Sequence, residues 1–188
     1  MFAGKSSALQ STIRRHEALG WNVFVVTHST DTRYSAAPQI VSHDRSALPS
    51  YATATLLPVL ETDEYRRSRM VVVDEGQFFP DLVEFVKIVT DTHRKTCVVA
   101  GLSGDKDRRP FGQMLDLVPL ADKVEKLAAM CKRCGNGTEA LFTACLAPTK
   151  EVVCVGAAEL YVPLCRRHYL EKDLPAVKPE HMNIHYGC

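Results

Sequence analysis

The chain has 188 residues, of which 46% are hydrophobic and 24% charged, and its formal net charge is +1. This length and composition predict one α/β domain of ordinary soluble type with a small appendage, since a chain of this size can bury a real core. The near-zero charge argues against a broad basic surface that captures a nucleic-acid polymer, so any partner related to nucleic acid is expected to be a monomer.

Membrane and secretory signals are not evident in the sequence. No apolar stretch approaches the roughly 18 residues that span a bilayer, and the first residues lack the charged-then-apolar layout of a signal peptide. We therefore expect a cytoplasmic location without membrane association. The odd number of cysteines, seven, favours a reducing compartment, where paired cysteines more often hold metal than form disulfides.

The predicted elements alternate between helix and strand. Residues 4–19 have a helical pattern that ends at Gly20. Three short runs rich in β-branched residues predict strands that are buried on both faces: residues 23–27, 70–73 and 96–100. A second helix is predicted over residues 81–93. This alternation is typical of a parallel sheet wrapped by helices.

The tripeptide Gly4-Lys5-Ser6 has the form of the end of a Walker A phosphate loop. In such a loop backbone N–H groups curl around phosphates, the lysine reaches the β- and γ-phosphate oxygens, and the serine hydroxyl binds Mg²⁺. The first glycine of the motif would fall two positions before Met1, so we expect that glycine and the leading strand to precede residue 1. Alone, the tripeptide also fits a chance match at a helix start.

Asp74 and Glu75 follow the apolar run 70–73, as in a Walker B element. A buried strand that ends in acids places them at the carboxyl edge of the sheet, where ligands bind. Asp74 is then expected to hold hydrated Mg²⁺ and Glu75 to face the nucleophile. A strand that ends in two solvated acids is the alternative for this run taken alone.

Asp31 and Arg33 lie just beyond the second predicted element, in a loop expected at the same edge of the sheet. Arg33 is a candidate for steadying charge on a transferring phosphoryl group, and Asp31 for supporting the metal. Considered alone, both residues also fit an ordinary charged surface loop.

Two pairs of potential metal ligands follow: Cys131 with Cys134, and Cys165 with His168. Each pair has two residues between its members, a spacing that suits tetrahedral zinc. Four protein ligands leave no open coordination position, so the predicted zinc is structural. Coincidence, or redox use of the first pair, remains the alternative. We predict a core over residues 1–126, a zinc-binding lobe over 127–173 and a flexible tail over 174–188.

Taken together, several collinear stretches resemble the cytosolic-type (type II) thymidine kinase family, from residue 1 to about residue 169. They are MFAGKS, DTRYS followed by HDR, VVVDEGQFFPD, RRPFGQMLDLVPLAD, KLAAMCKRC and ELYVPLCRRH. The resemblance implies a RecA-like P-loop core with a parallel sheet flanked by helices, and a small zinc lobe whose lasso loop closes over the thymine base. It also implies homotetramers and feedback inhibition by dTTP.

The resemblance further implies an activity and its residues. ATP would donate its γ-phosphoryl group to the 5′-hydroxyl of thymidine, with Glu75 as general base, Lys5 and Arg33 as further catalytic groups, and Mg²⁺ accompanying ATP. Gly4, Lys5, Ser6, Asp31 and Asp74 would serve ATP and Mg²⁺. The nucleoside pocket would draw on Met1, Phe78, Leu102, Thr143, Val152, Cys154, Gly156 and Tyr161. Deoxyuridine is expected as a further substrate.

The chain departs from the family pattern in the missing start of the phosphate loop, in a longer zinc-lobe turn at Gly135-Asn136-Gly137 and at two single positions. Lys106 stands where the family usually has an aromatic residue, beside the expected thymine pocket, and His168 stands where many members carry cysteine. A Cys₃His set is an accepted zinc site, so we expect the metal to be retained.

Two other classes of protein remain open from the residues. One is a P-loop ATPase that uses a zinc ribbon on nucleic acid, and the other is a non-catalytic binding module that zinc stabilises. Lys132, Arg133, Arg166 and Arg167 lie beside the predicted ligands, but the low net charge and the lack of basic and aromatic clusters argue against the first class.

Overall fold

The structure is a computed structural model, and it describes residues 2–29, 39–41, 47–145 and 161–171. It divides into two compact units, each of which is described separately. The core unit consists of the described residues within Gly4–Gly104 and Arg109–Glu125. The Cys/His unit consists of the described residues within Met1–Ala3, Asp105–Arg108 and Lys126–Cys188.

The core unit is built on a parallel sheet. Its elements in chain order are α1 (Lys5–Glu17), β1 (Val23–His28), β2 (Gln39–Val41), β3 (Ala47–Pro49), β4 (Tyr51–Thr53), α2 (Asp63–Arg67), β5 (Met70–Val73), α3 (Leu82–Lys87) and β6 (Thr96–Val99). The sheet has four strands in the order β4-β1-β5-β6, and all three pairings are parallel. β2 and β3 form a separate antiparallel pair. Ligand-binding loops of such a sheet lie at the carboxyl ends of the strands.

Helices cover both faces of this sheet. On one face a buried cluster joins strand and helix residues: Phe24, Val26, Val71, Val73, Leu82, Phe85 and Val89. On the other face α1 packs against the strands through a second cluster: Leu9, Ile13, Val25, Met70 and Val72. Alternate residues of β1 and β5 thus enter opposite cores, which explains why these strands are continuously apolar. Each fully buried side chain of this size contributes roughly 1.5–3 kcal/mol relative to its exposed state.

The predicted strands and helices of the core are present with small differences in their bounds. α1 begins after Gly4, whose φ is 80°, and Gly20 has a φ of 76° in the turn beyond the helix. The predicted helix over 81–93 is α3 followed by a π-helical turn at Ile88–Thr92. Short 3₁₀ turns at Leu57–Glu61, Gly76–Phe78 and Leu115–Leu120, and the edge strand β4, carry no clear sequence pattern.

The Cys/His unit contains short elements around a small core. They are β7 (Ala129–Met130), β8 (Glu139–Ala140), β9 (Phe142–Cys145), β10 (Tyr161–Leu164) and α4 (Arg166–Leu170). β7 pairs with β8 and β9 with β10, both antiparallel. The buried residues are mostly small: Ala129, Cys131, Ala140, Ala144, Val162 and Leu164. A core this small is usually supplemented by a metal or a disulfide.

These observations confirm the predicted fold class, a parallel sheet flanked by helices together with a Cys/His cluster. Residues 146–160, in the middle of the predicted zinc-binding lobe with its lasso loop, and the tail over 174–188 lie outside the described residues. Among the helices that the structure describes, none combines the length and the apolar character that a bilayer span requires.

Candidate functional site

Gly4, Lys5 and Ser6 lie at the beginning of α1. Gly4 caps the helix in the left-handed region, which glycine adopts without the steric penalty that a Cβ introduces. The first N–H groups of a helix have no partner within it and favour negative charge. Lys5 extends from this end of the helix, and its Nζ lies 3.4 Å from Oε1 of Glu75.

Asp74 and Glu75 lie at the carboxyl end of β5, and both are buried. The Asp74 N–H donates to the Val26 carbonyl at 2.9 Å, so this residue is still held by the sheet. The Glu75 N–H donates to Oδ1 of Asp74 at 2.9 Å. Glu75 has φ 52° and ψ 40°, a left-handed conformation that is unfavourable for a residue with a Cβ. Backbone strain of this kind clusters at functional sites.

Gln77 lies two residues beyond Glu75 and contacts its carboxylate. Its Nε2 donates to Oε2 of Glu75 at 2.5 Å, while its Oε1 accepts from the Leu102 N–H at 2.9 Å. Sequence alone assigns no role to Gln77, because a glutamine after a turn is usually a surface residue. In the structure this glutamine is instead buried, with an exposed fraction of 4%.

Phe78, predicted to contact the nucleoside, lies among aromatic rings of the core unit. Its ring centroid is 5.5 Å from that of His28 and 5.6 Å from that of Phe111, the latter in an edge-to-face arrangement. Leu102, predicted for the same pocket, is partly buried beyond the carboxyl end of β6. The core unit therefore places Phe78, Leu102 and Glu75 on loops at the ligand-binding edge of the sheet.

Cys131, Cys134, Cys165 and His168 converge in the Cys/His unit, with their ligand atoms all within 4.8 Å of one another. The two sulfurs of Cys134 and Cys165 are 3.8 Å apart, and Nδ1 of His168 lies 3.4–3.5 Å from each of the three sulfurs. Tetrahedral zinc, with bonds of about 2.3 Å to sulfur and 2.0 Å to nitrogen, requires separations of about 3.8 and 3.5 Å. The predicted ligands thus fit zinc in both chemistry and spacing.

The protonation of the cysteines also suits a metal. Burial opposes ionisation of Cys131, but hydrogen bonds from the N–H groups of Cys165 and Cys134 and from His168 outweigh it and lower its pKa to about 6. The pKa of Cys134 is raised: a hydrogen bond with Thr138 lowers it, but burial and the adjacent sulfurs raise it more. One thiolate is thus formed readily and the next is disfavoured until a cation compensates the charge.

The remaining predicted residues fall into two groups. In the Cys/His unit Thr143 lies on β9, and Tyr161 begins β10 opposite Cys145. Lys106 belongs to the same unit, where its carbonyl accepts from the Tyr169 hydroxyl at 2.5 Å and its Nζ pairs with Asp107 at 3.2 Å. The others lie outside the described residues: Met1, Asp31, Arg33, Val152, Cys154 and Gly156.

Comparison with known proteins gives consistent results. The family model described as "Thymidine kinase" matches residues 1–169. The chain is 40% identical to "Thymidine kinase a" of Arabidopsis thaliana over 177 residues, which cover 93% of this chain and 73% of the relative. It is 39% identical to "Thymidine kinase, cytosolic" of Homo sapiens over 172 residues, 92% of this chain and 70% of the relative.

A viral relative is similar over most of its own length. The chain is 35% identical to "Thymidine kinase" of Monkeypox virus over 173 residues, which cover 91% of this chain and 93% of the relative. Plant, animal and viral relatives therefore carry the same activity in their names.

Proposed function

Since the chain belongs to the thymidine kinase family, we propose that it transfers the γ-phosphoryl group of ATP to the 5′-hydroxyl of thymidine, with Glu75 as general base. The observation that carries this proposal is the approach of Lys5 Nζ to within 3.4 Å of the Glu75 carboxylate. This contact brings together the N-terminus of α1, where phosphate can bind, and a carboxylate that can accept a proton from a hydroxyl.

The donor side of the proposal uses the first turn of α1. Backbone N–H groups at Gly4 and beyond, with the Lys5 ammonium, would hold the β- and γ-phosphates of ATP. Positioning and charge stabilisation are the main tasks of a protein in phosphoryl transfer, because the transition state has little covalent chemistry to assist. Arg33 is proposed to steady the charge on the transferred group.

Magnesium is proposed to accompany ATP. The Ser6 hydroxyl and the carboxylates of Asp74 and Asp31 supply the hard oxygen donors that this ion prefers, so the residues fit it by donor chemistry. The ion would neutralise charge on the β- and γ-phosphate oxygens when bound. Asp74 is buried and its N–H donates to the Val26 carbonyl in the sheet, so the backbone that carries its carboxylate is held in place.

Glu75 is proposed to accept the proton of the 5′-hydroxyl while that oxygen forms a bond to the γ-phosphorus and the bond to ADP breaks. Two features support this role: the carboxylate is held by Lys5 and Gln77, and the backbone of Glu75 lies in a strained conformation. A held carboxylate within hydrogen-bond reach of the hydroxyl satisfies general-base catalysis at neutral pH.

The nucleoside contacts are carried forward as part of the proposal. In the core unit Phe78 and Leu102 would contact the nucleoside, and Phe78 offers an aromatic ring for stacking on a base. The proposal includes the remaining predicted positions on the basis of the resemblance: Met1, Thr143, Val152, Cys154, Gly156 and Tyr161. Deoxyuridine is proposed as a second nucleoside substrate, and dTTP as a feedback inhibitor.

We propose that Cys131, Cys134, Cys165 and His168 hold one structural zinc ion. The separations of their ligand atoms support this, and four protein ligands leave no position for substrate. A homotetramer, a cytoplasmic location and the division at residues 126 and 173 complete the proposal.

The experiment that tests the proposal compares the protein with its Glu75→Gln variant in an assay of dTMP formation from thymidine and Mg-ATP. We expect kcat to fall roughly 10²- to 10⁴-fold, with the Kd for thymidine changed by less than about threefold. Glu61→Gln is the control, because Glu61 is an exposed glutamate that pairs with Arg66. Unchanged turnover in Glu75→Gln would remove Glu75 as the base, and an inactive parent protein would reject the proposal.

The ATPase that acts on nucleic acid remains the alternative to be tested. It predicts tight DNA binding whose affinity falls steeply with salt, as expected when phosphate contacts release counterions. The kinase proposal predicts no such binding in a fluorescence anisotropy titration with a DNA duplex.

A further inference from the structure

The side-chain amide of Gln77 has a determined orientation. The Leu102 N–H can only donate, so the amide atom that it meets at 2.9 Å must be the acceptor Oε1. The NH₂ group therefore faces Glu75, where Nε2 lies 2.5 Å from Oε2. An amide NH₂ can only donate as well, so Oε2 of Glu75 must accept, and the ionised carboxylate satisfies that requirement without a competing proton.

We propose that Gln77 is a positioning residue for phosphoryl transfer: it holds the Glu75 carboxylate in one orientation and ties it to the backbone at Leu102. This inference rests on the proposed function, since it takes Glu75 as the base. One amide thereby joins the base to a loop residue proposed to contact the nucleoside.

The packing around Gln77 leaves its amide little freedom. A Cβ added to Gly101 would lie 2.6 Å from Gln77 Oε1, and one added to Gly112 would lie 2.1 Å from the Gln77 carbonyl oxygen. At Gly112 an added Cβ would force backbone to shift, whereas at Gly101 the end of the Gln77 side chain would have to move. Gly112 thus lets backbone approach the main chain of Gln77 and Gly101 lets backbone approach its amide, while the two hydrogen bonds orient that amide.

Charged side chains of the described residues Lys5 and Asp74 also lie beside Glu75. The Lys5 ammonium approaches Oε1 from the first turn of α1, and Asp74 lies at the end of β5 with its Oδ1 accepting from the Glu75 N–H. Lys5 and Gln77 both stabilise the ionised carboxylate, whereas Asp74 opposes it if it is charged. Loss of the Gln77 donor is therefore expected to make Glu75 easier to protonate, which raises the pH at which a base mechanism begins to fail.

The sharpest variant is Gln77→Glu. It retains the size of the side chain and an oxygen for the Leu102 N–H, but it replaces the NH₂ donor with a carboxylate oxygen facing Glu75. Two carboxylate oxygens at this distance cannot both remain charged without a large penalty, so they share a proton. Gln77→Met provides a second variant, similar in shape and with neither donor nor acceptor.

Gln113→Met is the matched control. The side-chain amide of Gln113 also forms two internal hydrogen bonds in the core unit. It donates to the Pro80 carbonyl at 2.7 Å and accepts from the Val83 N–H at 2.8 Å. The Gln113→Met variant therefore measures the effect of removing a bridging amide whose partners are Pro80 and Val83 and not Glu75.

The experiment measures kcat and KM for thymidine from pH 5 to pH 9 in the parent protein, both Gln77 variants and Gln113→Met. We expect the acid limb of the kcat profile to move upward by about one pH unit or more in Gln77→Glu. In Gln77→Met we expect a smaller upward movement and a fall in kcat of roughly 10- to 100-fold at neutral pH, with KM changed less. A purely structural role would lower the melting temperature without moving the acid limb.

Each outcome decides the inference. An unmoved acid limb in Gln77→Glu, or an equal movement in Gln113→Met, overturns it; if Gln77→Met does not fold, the profile of Gln77→Glu decides alone. Glu75→Gln separates the two levels of proposal. If that variant keeps full turnover, the proposed base is wrong; if it is inactive while the Gln77 profiles match the parent, only the role of Gln77 is wrong.

Discussion

Lys5 and Glu75 are seventy positions apart in the chain, yet Nζ of the first lies 3.4 Å from Oε1 of the second. Both side chains are largely shielded from solvent, with exposed fractions of 20% and 8%. A pair this shielded is screened by salt less than a surface pair. The contact places the N-terminus of α1, which is proposed to bind phosphate, beside the Glu75 carboxylate, which is proposed to accept a proton.

Replacement of Lys5 tests its proposed role in holding the phosphates of ATP. Lys5→Met keeps the length of the aliphatic stem but removes the ammonium, so we expect kcat/KM for ATP to fall on the order of 100-fold or more. Thymidine affinity, measured calorimetrically without ATP, should change little. Lys123→Met is the control, because Lys123 is an exposed residue paired with Glu125. Equal losses in the two variants would contradict a specific role for Lys5.

Replacement of a ligand tests the metal centre. In Cys165→Ser we expect the zinc content, measured by plasma mass spectrometry, to fall well below one ion per chain. The melting temperature should fall with it, by roughly 5 °C or more. His168→Cys is the matched variant, since it restores a four-ligand set and should retain zinc. A full zinc content in Cys165→Ser would contradict the assignment.

Alkaline pH is expected to destabilise the core unit through Cys97 and Tyr65. Burial raises the pKa of the Cys97 thiol to about 12, and burial together with Cys97 raises the pKa of Tyr65 to about 12. The folded state therefore holds these protons more tightly than the unfolded state, whose groups titrate near 9 and 10. Stability is retained below pH 9 and lost as the pH rises toward 12.

The expected loss is up to about 1.4 kcal/mol per pH unit for each group. Urea unfolding at pH 8, 9.5 and 10.5 measures it. Cys97→Ala removes one of the two groups and should flatten the dependence; an equally steep fall in that variant would show that Cys97 does not contribute.

Alanine substitutions at two glycines can distinguish the cost of a steric clash from the cost of an unfavourable backbone conformation. Gly112 and Gly20 both have positive φ, 54° and 76°, but a Cβ at Gly112 would lie 2.1 Å from the Gln77 carbonyl oxygen, while nothing lies within 4 Å of one at Gly20. We expect Gly20→Ala to lower the free energy of unfolding by about 1–2 kcal/mol. Gly112→Ala should lower it by a further 1–3 kcal/mol or so, because the backbone must shift. Equal values in urea titrations would contradict the close contact.

Much of the fold was predictable from local pattern. β1, β5 and β6 coincide closely with the three β-branched runs. For β1 and β5 the reason is that a strand buried on both faces must be apolar at nearly every position. The prediction of burial on both faces was wrong for β6, which lies at an edge of the sheet and is exposed at Thr96 and partly buried elsewhere. The edge strand β4 and the β2–β3 pair were not predictable, since three-residue strands carry too few residues for a period. The π-helical turn after α3 is likewise invisible to a helical pattern that continues through it.

The sequence by itself determined the class of fold and the candidate metal-ligand set, because these depend on residue types at short spacings. It indicated the family through the resemblance of its collinear motifs. The ligand pairs are local, and each needs only two residues between its members to form half of a site. Only the tertiary structure decided which side chains meet: Lys5 contacts the distant Glu75, and Gln77 contacts the distant Leu102 as well as its near neighbour Glu75. Such contacts depend on strand order and on where glycines let backbone approach, and no local period encodes either.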